Sequence, residues 1–366
     1  MHLAELSWDA FRNLEPRTLV LGSGFNVIEG ENGQGKTNLL EAVYWLSTLR
    51  PLRAGRLTEL VRFGADACRV EVVVEREGLL HRLEARIEKG ERTCRRERKL
   101  CKPPEFFGVL AVVLFTPDDV GLLRDPPQER RRFLDRAIFT GRPAHLSDVQ
   151  AYRRALEARN EALRTQGDPL VLEAFEEALS ALSVRLVAAR ETFVEQLRPF
   201  FLDAFAGIAG PGMRATLEYR PSLASREPAD HAAAWAADRE RDRQRGFTAR
   251  GPHADDLGVA LAGRSARLYA SQGQQRALVL ALKIAEIRLL EALFGLTPIL
   301  LLDDVSSELD AQRNARLFEL LHGFRGQVLI TTTDARHVRT PAAARGFHVE
   351  AGQVSPDPDV AGDGRK

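Results

Sequence analysis

The segment Gly30–Thr37 constrains the fold of this chain more than any other part of the sequence. It fits the phosphate-binding pattern G-x-x-x-x-G-K-[ST]. The apolar run Phe25–Glu29 before it predicts a buried strand, and Thr37–Ser47 after it predicts a helix. Phosphate binding at the N-terminus of a helix requires this order of strand, loop and helix. The sequence therefore predicts an α/β protein that binds ATP.

Each residue type in this loop has a role that phosphate binding requires. Glycines let the backbone turn so that successive N–H groups point at phosphate oxygens, and the helix adds its positive N-terminal dipole. Lys36 is predicted to contact the β- and γ-phosphates, and the Thr37 hydroxyl to ligate Mg²⁺. A glycine-rich turn that binds nothing is the alternative, and the flanking strand and helix disfavour it. The predicted ATP-binding residues are Gly30, Glu31, Asn32, Gly33, Gln34, Gly35, Lys36 and Thr37.

A second apolar strand ends in two carboxylates, because Pro298–Leu302 runs directly into Asp303 and Asp304. A strand-end aspartate helps to hold Mg²⁺ in ATPases with this kind of loop. Asp303 is therefore predicted as a metal-binding residue together with Thr37, and Asp304 as the catalytic residue that polarises the attacking water. Two acids after a strand are weak evidence alone, since capping aspartates are common there. Beside Gly30–Thr37 the evidence becomes strong.

Length and composition limit the remaining possibilities. With 366 residues, 44% of them apolar and 28% charged, the chain has the composition of a globular protein of about two domains. No run approaches the roughly 18 apolar residues of a membrane span, and the N-terminus lacks a signal-peptide pattern. The three cysteines, Cys68, Cys94 and Cys101, form neither a disulfide framework nor paired zinc ligands with His81. A cytoplasmic location is predicted.

The middle of the chain has a different character. Glycine nearly disappears between Pro126 and Phe205, and apolar residues recur at alternating spacings of three and four. The turn-forming segment Thr165–Pro169 separates a shorter stripe from a longer one, which predicts an antiparallel helical hairpin, although a plain helical core would give the same stripe. The longer stripe consists of Leu172, Phe175, Leu179, Leu182, Leu186, Ala189 and Phe193.

We therefore predict a discontinuous α/β ATPase domain, residues 1–125 and 207–366, interrupted by a helical, short coiled-coil-like domain, residues 126–206. The tail after about residue 352 is rich in Pro, Gly and Asp and is predicted to be disordered.

Two further segments resemble motifs of the ABC-type ATPases. Ser271–Arg276 opens a predicted long helix, Gln272–Phe294, and resembles the signature motif that binds phosphate from a partner subunit. An ordinary serine N-cap is the alternative. Ser306–Asp310 resembles the D-loop. The predicted residues are Ser271, Gln272, Gly273, Gln274 and Gln275 for the signature, and Ser307, Glu308 and Asp310 for the D-loop.

Together these motifs resemble one branch of that superfamily, the RecF family of bacterial recombination-repair ATPases, which are related to SMC proteins. The landmarks span residues 11 to 310 in the order expected for that family. They are Phe11–Leu14, Gly30–Ala42, Phe115–Asp119, Arg130–Asp135, Gly251–Asp256, Ser271–Arg276 and Leu301–Asp310.

The resemblance implies an ATP-driven homodimer that binds double-stranded and gapped DNA, hydrolyses ATP slowly, and helps RecA loading with RecO- and RecR-type partners. Slow turnover also agrees with three departures from transporter-type ATPases. We find no clear Q-loop glutamine, Thr332–Asp334 replaces the switch histidine, and Asp304 stands where a glutamate is usual.

DNA contact is predicted from clusters of basic residues, since Arg pairs well with phosphate and RecF-like proteins should contact the DNA backbone. A solvated surface is the alternative for each cluster. The predicted DNA-binding residues are Arg92, Arg95, Arg96, Arg98 and Lys99, followed by Arg130, Arg131 and Arg132.

Two other classes of protein share some of these motifs. The ATP-binding subunit of a membrane transporter would have a membrane partner and a switch histidine, and it would lack a helical hairpin of this size. A full SMC protein would need coiled-coil arms hundreds of residues long between Lys36 and Arg276, and this interval is too short for them.

Overall fold

The computed structural model describes residues 1–53, 55–210, 212–305, 311–338 and 344–359. The strands are β1 His2–Asp9, β2 Arg17–Val20, β3 Phe25–Glu29, β4 Ala67–Arg76, β5 Leu79–Glu88, β6 Glu91–Arg96, β7 Lys99–Cys101, β8 Val112–Phe115, β9 Ala215–Arg220, β10 Asp256–Leu261, β11 Arg264–Ser265, β12 Ile299–Leu302, β13 Val328–Thr332, β14 Arg345–Glu350 and β15 Gln353–Pro356.

The α-helices are α1 Lys36–Thr48, α2 Pro103–Phe106, α3 Gly121–Arg124, α4 Pro127–Gly141, α5 His145–Arg164, α6 Pro169–Ala209, α7 Pro228–Arg245, α8 Ala266–Tyr269, α9 Gln272–Phe294 and α10 Ala311–His322. Short 3-10 turns occur at Leu57–Leu60, Pro117–Val120, Pro252–Ala254 and Ala335–His337.

The chain divides into two compact units. The first, which we call the sheet unit, comprises Met1–Asp119, Gly207–Ala209 and Leu282–Lys366. The second, the helical unit, comprises Val120–Ala206 and Gly210–Ala281.

The sheet unit contains a six-stranded sheet in the order β15-β14-β3-β13-β12-β8. Its strands β14, β3, β13, β12 and β8 are parallel, and β15 pairs antiparallel at the edge. The predicted strand Phe25–Glu29 is confirmed with the same bounds, and β12, Ile299–Leu302, lies within the predicted apolar strand Pro298–Leu302. Continuous apolar runs form these strands because a central parallel strand is buried on both faces.

The second sheet of this unit is antiparallel, in the order β2-β1-β4-β5-β6-β7. Two-residue turns join β4 to β5 and β5 to β6, and both place glycine at the second position, with φ of 78° at Gly78 and 80° at Gly90. Glycine suits this position because both residues of such a turn need positive φ. The turn from β6 to β7 differs, because Arg98 occupies the second position with φ of 65°.

The helical unit contains the predicted hairpin. Helix α5 ends at Arg164 and α6 begins at Pro169, where the Asp168 side chain accepts a hydrogen bond from the Leu170 N–H at 2.8 Å. Leu172, Leu179 and Leu186 of the predicted stripe are at most 1% exposed. They pack against residues of α5, which confirms the hairpin.

The helical unit extends further along the chain than the predicted insert. Residues 210–281 were predicted to belong to the ATPase domain, but they lie in the compact helical unit. Ion pairs explain this, because Asp255 contacts Arg190 of α6 and Asp242 contacts Arg159 of α5. These partners lie far apart in sequence and no local pattern indicates them.

The chain end also differs from its prediction. Residues Gln353–Pro356, which were predicted to be disordered, form β15 and pair with β14. Among the described residues, no helix is long and apolar enough to cross a membrane.

Candidate nucleotide-binding site

The two predicted phosphate and metal motifs meet at the carboxyl edge of the parallel sheet. Strand β3 ends at Glu29 and runs into Gly30–Thr37, and β12 ends at Leu302 and runs into Asp303. The Thr37 hydroxyl donates to the Asp303 carboxylate, whose two oxygens both lie 2.9 Å away. These residues are 266 positions apart in the sequence. Ligands of parallel α/β sheets bind at this edge.

Glycines give the loop its shape. Gly35 has φ of 121°, a conformation that other residues rarely adopt, and α1 begins at the next residue. At Gly30 a Cβ atom would lie 2.3 Å from the carbonyl oxygen of Val349, so a side chain would collide with the neighbouring strand β14. The loop is therefore held closely against the sheet.

Lys36 is buried, with 6% of its surface exposed, and its amine contacts two uncharged acceptors within the described residues. Nζ donates to the carbonyl oxygens of Gly30 at 2.5 Å and Glu31 at 2.8 Å. Burial lowers the pKa of Lys36, although Asp304, Asp303 and two glutamates oppose the shift. The amine thus lies where anionic phosphate oxygens would stabilise its charge.

Asp303 is also buried and is held by hydroxyl groups. Besides Thr37, the Thr331 hydroxyl donates to its Oδ1 at 2.8 Å. Burial raises the pKa of Asp303, and the two hydroxyl hydrogen bonds only partly oppose this shift. A hydroxyl and a carboxylate within 2.9 Å of each other are the oxygen ligands that Mg²⁺ prefers. The predicted pair therefore fits a magnesium ion.

Asp304 adopts a left-handed backbone conformation, with φ of 46°. Its N–H donates to the same Thr331 hydroxyl at 3.0 Å. A non-glycine residue in this region is strained by about 1–3 kcal/mol, and such strain concentrates at functional sites. Thr331 thus fixes both acids of the site.

The signature residues lie in the helical unit, at the N-terminus of α9. The Ser271 N–H donates to Gln274 Oε1 at 2.8 Å, and the Gln274 N–H donates to Ser271 Oγ at 3.3 Å. These two hydrogen bonds form a capping box. In this structure Ser271 is therefore the N-cap of α9, as in the alternative interpretation of this segment. Ser271 and Gln272 are exposed, whereas Gln275 is buried and accepts from Arg124 Nε at 2.6 Å.

The predicted D-loop residues Ser307, Glu308 and Asp310 lie outside the described residues.

The predicted DNA-binding cluster on β6 and β7 has two parts. Three of its arginines bind acceptors in the protein: Arg95 donates to Glu84 at 2.7 Å, Arg96 to the Glu105 carbonyl at 3.1 Å, and Arg92 to the Leu49 carbonyl. Arg98 and Lys99 are exposed at the turn. The cluster is therefore not one continuous cationic surface.

The second predicted cluster is largely structural. Arg130 is 4% exposed, forms an ion pair with Asp256 at 2.6 Å and donates to the Asp125 carbonyl at 2.9 Å. Arg131 donates to the Asp255 carbonyl at 2.7 Å. Only Arg132 is exposed, and it pairs with Glu129. Arg130 is therefore not proposed as a DNA contact, because its buried guanidinium binds Asp256, which lies 126 positions away.

Sequence reasoning missed two residues that support the site. Thr331 is one of two threonines that end the apolar strand β13, and a polar residue there was a visible signal. Lys283 on α9 donates to the Leu114 carbonyl of β8 at 2.8 Å and pairs with Asp119 at 3.0 Å, so it joins β8 to the segment that follows it. The end of β8 lies beside Asp303, whose N–H donates to the Phe115 carbonyl at 2.9 Å.

Comparison with known proteins agrees with this geometry. Residues 2–355 match the family described as the RecF/RecN/SMC N terminal domain. The chain is 47% identical over 371 residues to the DNA replication and repair protein RecF of Anaeromyxobacter sp. (strain K), covering 97% of this chain and 99% of that protein. It is 44% identical to RecF of Myxococcus xanthus (strain DK1622), covering 97% of each.

A solved structure of the recombination mediator protein RecF-ATP in the RecFOR pathway is similar to this chain, with a TM-score of 0.88, 28% sequence identity and 97% of each chain covered. The chain therefore belongs to the RecF family of DNA replication and repair proteins, which are ABC-type ATPases related to SMC proteins.

Proposed function

We propose that this chain is a slow, Mg²⁺-dependent ATPase switch that acts on DNA as an ATP-driven dimer. The observation that carries the proposal is the contact between Thr37 and Asp303, since it joins the phosphate loop to the metal-binding acid. Asp304 is proposed to orient the attacking water, and its shorter side chain relative to glutamate favours slow turnover. The comparisons give no support to the transporter alternative.

The proposed nucleotide site is shared between two subunits. Gly30–Thr37 and Asp303 would bind ATP with Mg²⁺, and the exposed Ser271 and Gln272 at the N-terminus of α9 would contact its γ-phosphate from the partner subunit. The support is the resemblance to ABC-type ATPases and the exposure of these two residues. ATP would then be part of the interface and would link dimerisation to its binding.

A mixing experiment tests this arrangement. A Lys36→Met chain and a Ser271→Arg chain should each be inactive, but their mixed dimer contains one site with neither change. Some ATP hydrolysis should return on mixing. If mixed dimers form and the mixture remains inactive, the shared site is wrong.

Double-stranded and gapped DNA are the proposed ligands, and Arg98 and Lys99 are the best candidates in this chain to contact their phosphates. Arg98 holds the turn position that glycine occupies at Gly78, Gly90 and Gly352. An arginine with φ of 65° costs on the order of 1 kcal/mol relative to glycine. Because glycine would suit the turn better, the presence of arginine favours a role for its side chain other than forming the turn.

Replacing Arg98 by glycine tests this role without damaging the fold. Arg98→Gly removes the cation and relieves the turn, so stability should be equal or higher while DNA affinity falls. The slope of log affinity against log salt should flatten by roughly 0.9 for each lost phosphate contact. The control is Lys89→Gly, which removes a cation from the turn between β5 and β6. Equal effects of the two variants would show general electrostatics and would overturn the assignment.

The proposed partners are RecR- and RecO-type proteins, with RecA reached indirectly, and the proposed location is the cytoplasm. Membership in the RecF family supports both statements, because a solved relative belongs to the RecFOR pathway.

A further inference from the structure

The turn between β14 and β15 lies against the phosphate-binding loop. Glu350 pairs with Gln353, so Ala351 and Gly352 form a two-residue turn. The Ala351 N–H donates to Gln34 Oε1 at 2.6 Å, and the Gly352 N–H donates to the Gln34 carbonyl at 3.0 Å. Two successive amides near the end of the chain thus hold both the side chain and the backbone of one loop residue.

The same turn also binds the segment before β2. The Glu15 N–H donates to the Gly352 carbonyl at 2.8 Å, and Asn13 Nδ2 donates to the Gln34 carbonyl at 3.2 Å. The approach is close, because a Cβ atom at Gly352 would lie 2.0 Å from the carbonyl oxygen of Asn13. A backbone oxygen cannot move aside as a flexible side chain can.

The backbone of the loop contributes little to its own rigidity. Its internal backbone hydrogen bond from the Gln34 N–H to the Glu31 carbonyl is long, at 3.5 Å, and the short internal bonds come from the Lys36 amine instead. The contact from the Gly30 N–H to the Thr332 carbonyl measures 3.3 Å. Phosphate binding requires the loop amides to be oriented before the ligand arrives, and neighbouring segments that bind the loop backbone contribute to this orientation.

We propose that the Ala351–Gly352 turn is a positioning element for ATP, and that it acts through Gln34. The turn contacts the outer side of the loop, and the amides on the inner side are thereby oriented toward the phosphates. Asp303 and Asp304 follow a different strand, β12, and are held by Thr37 and Thr331, so they do not depend on the turn. The turn therefore controls nucleotide affinity and leaves the chemical step unchanged.

The substitution Gly352→Ala in the full-length protein tests the proposal, with ATP binding measured by calorimetry in the presence of Mg²⁺. The matched control is Gly78→Ala, because Gly78 has φ of 78°, close to the 79° of Gly352, and its Cβ atom would meet nothing within 4 Å. Both variants carry the same backbone strain, and only Gly352→Ala collides with Asn13. We expect ATP affinity about tenfold weaker for Gly352→Ala and unchanged for Gly78→Ala.

Steady-state kinetics separates positioning from catalysis. For Gly352→Ala we expect KM for ATP to rise while kcat at saturating ATP stays that of the parent protein, because the lost interaction affects bound ATP and transition state equally. A second variant, Gln34→Met, removes the acceptor of the Ala351 N–H without introducing a collision. It should weaken ATP binding, and adding Gly352→Ala to it should cause little further loss, because the turn acts through Gln34.

The proposal is overturned if Gln34→Met and any folded Gly352→Ala protein bind ATP like the parent, or if Gly78→Ala weakens binding as much. A fall in kcat without a change in KM would also overturn it. The proposal rests on the nucleotide site of the proposed function. If the parent protein does not bind ATP, the proposed function is wrong. If only the variants lose ATP affinity, the result concerns the turn alone.

Discussion

The nucleotide site and the polar centre of the helical unit both bury charged side chains, but they surround them with different partners. Lys36 contacts two neutral carbonyl oxygens and Asp303 contacts two hydroxyl groups. In the helical unit, both oxygens of Asp135 accept from Arg190, at 2.9 Å each, and Asp255 lies 3.3 Å from the same guanidinium.

The pKa shifts of the two regions run in opposite directions. In the nucleotide site, burial prevails and shifts Lys36 and Asp303 toward their neutral forms. In the helical unit, burial is outweighed: Arg190 and His145 lower the pKa of Asp135, and Asp135 raises that of Arg190. Burial favours the neutral form unless an opposite charge compensates.

The two regions differ in the source of the counter-charge. Asp135 and Arg190 find it within the protein, whereas Lys36 and Asp303 would find it in a bound ligand. Asp135 and Arg190 of the helical unit supply each other's counter-charge, so both are stabilised as ions in the free protein. In the described part of the nucleotide site, the direct partners of Lys36 and Asp303 are carbonyl and hydroxyl groups, and the nearby charges do not outweigh burial. A nucleotide phosphate and a divalent cation would supply direct counter-charges.

The largest effect on stability is expected from Arg190→Met. It leaves Asp135 and Asp255 buried without their cation, which should lower the free energy of unfolding by about 3–5 kcal/mol. The control on the same helix is Arg185→Met, whose pair with Asp148 has an arginine that is 56% exposed. That change should cost no more than about 1 kcal/mol. Denaturant unfolding measures both, and similar losses would contradict the comparison.

A smaller effect, dependent on pH, is expected from Asp135→Asn. The pKa of Asp135 is lowered from its ordinary value of 3.8, so its ionised form stabilises the fold above that value. The stabilisation is lost as pH falls through the lowered pKa. The stability difference between the parent protein and Asp135→Asn should therefore be constant from neutral pH to about pH 5 and shrink below the ordinary value. A difference that grows with acid would refute the sign of the shift.

The smallest effect on the nucleotide-free protein is expected from Lys36→Met. The amine donates to two carbonyl oxygens, but its own burial opposes its charge, so its removal should lower stability by about 1 kcal/mol. With Mg²⁺ and ATP at 100 times Kd, the parent should gain about 2.7 kcal/mol and the variant nothing. Thermal unfolding with and without nucleotide measures both values. Destabilisation as large as that of Arg190→Met would make Lys36 a structural charge instead.

The parts of the fold that could be predicted depend on local sequence. Strand β3 and helix α9 have the predicted bounds, and β12 begins one residue after its prediction, since short apolar runs and a capped helix start are local signals. The RecF family and its α/β ATPase fold are confirmed for the same reason, because ordered motifs identify both.

The parts that could not be predicted depend on distant partners. Arg130 looked like a nucleic-acid contact because the acid that binds it, Asp256, lies 126 positions away. Residues Gln353–Pro356 looked disordered because they pair with β14, whose own place in the sheet depends on pairing with the distant strand β3. Thr331 could be seen as a polar residue in an apolar strand, but its bond to Asp303 depends on how β12 and β13 align.

The hydrogen bond between Ala351 and Gln34 has a consequence for synthesis of the protein. The two residues are 317 positions apart, so the phosphate loop leaves the ribosome long before the turn that orients it. At about 5–20 residues per second, roughly 16 to 60 s pass between them. A nascent chain that stops before Ala351 therefore carries the complete phosphate-binding motif without this hydrogen bond, and we expect such a chain to bind ATP more weakly.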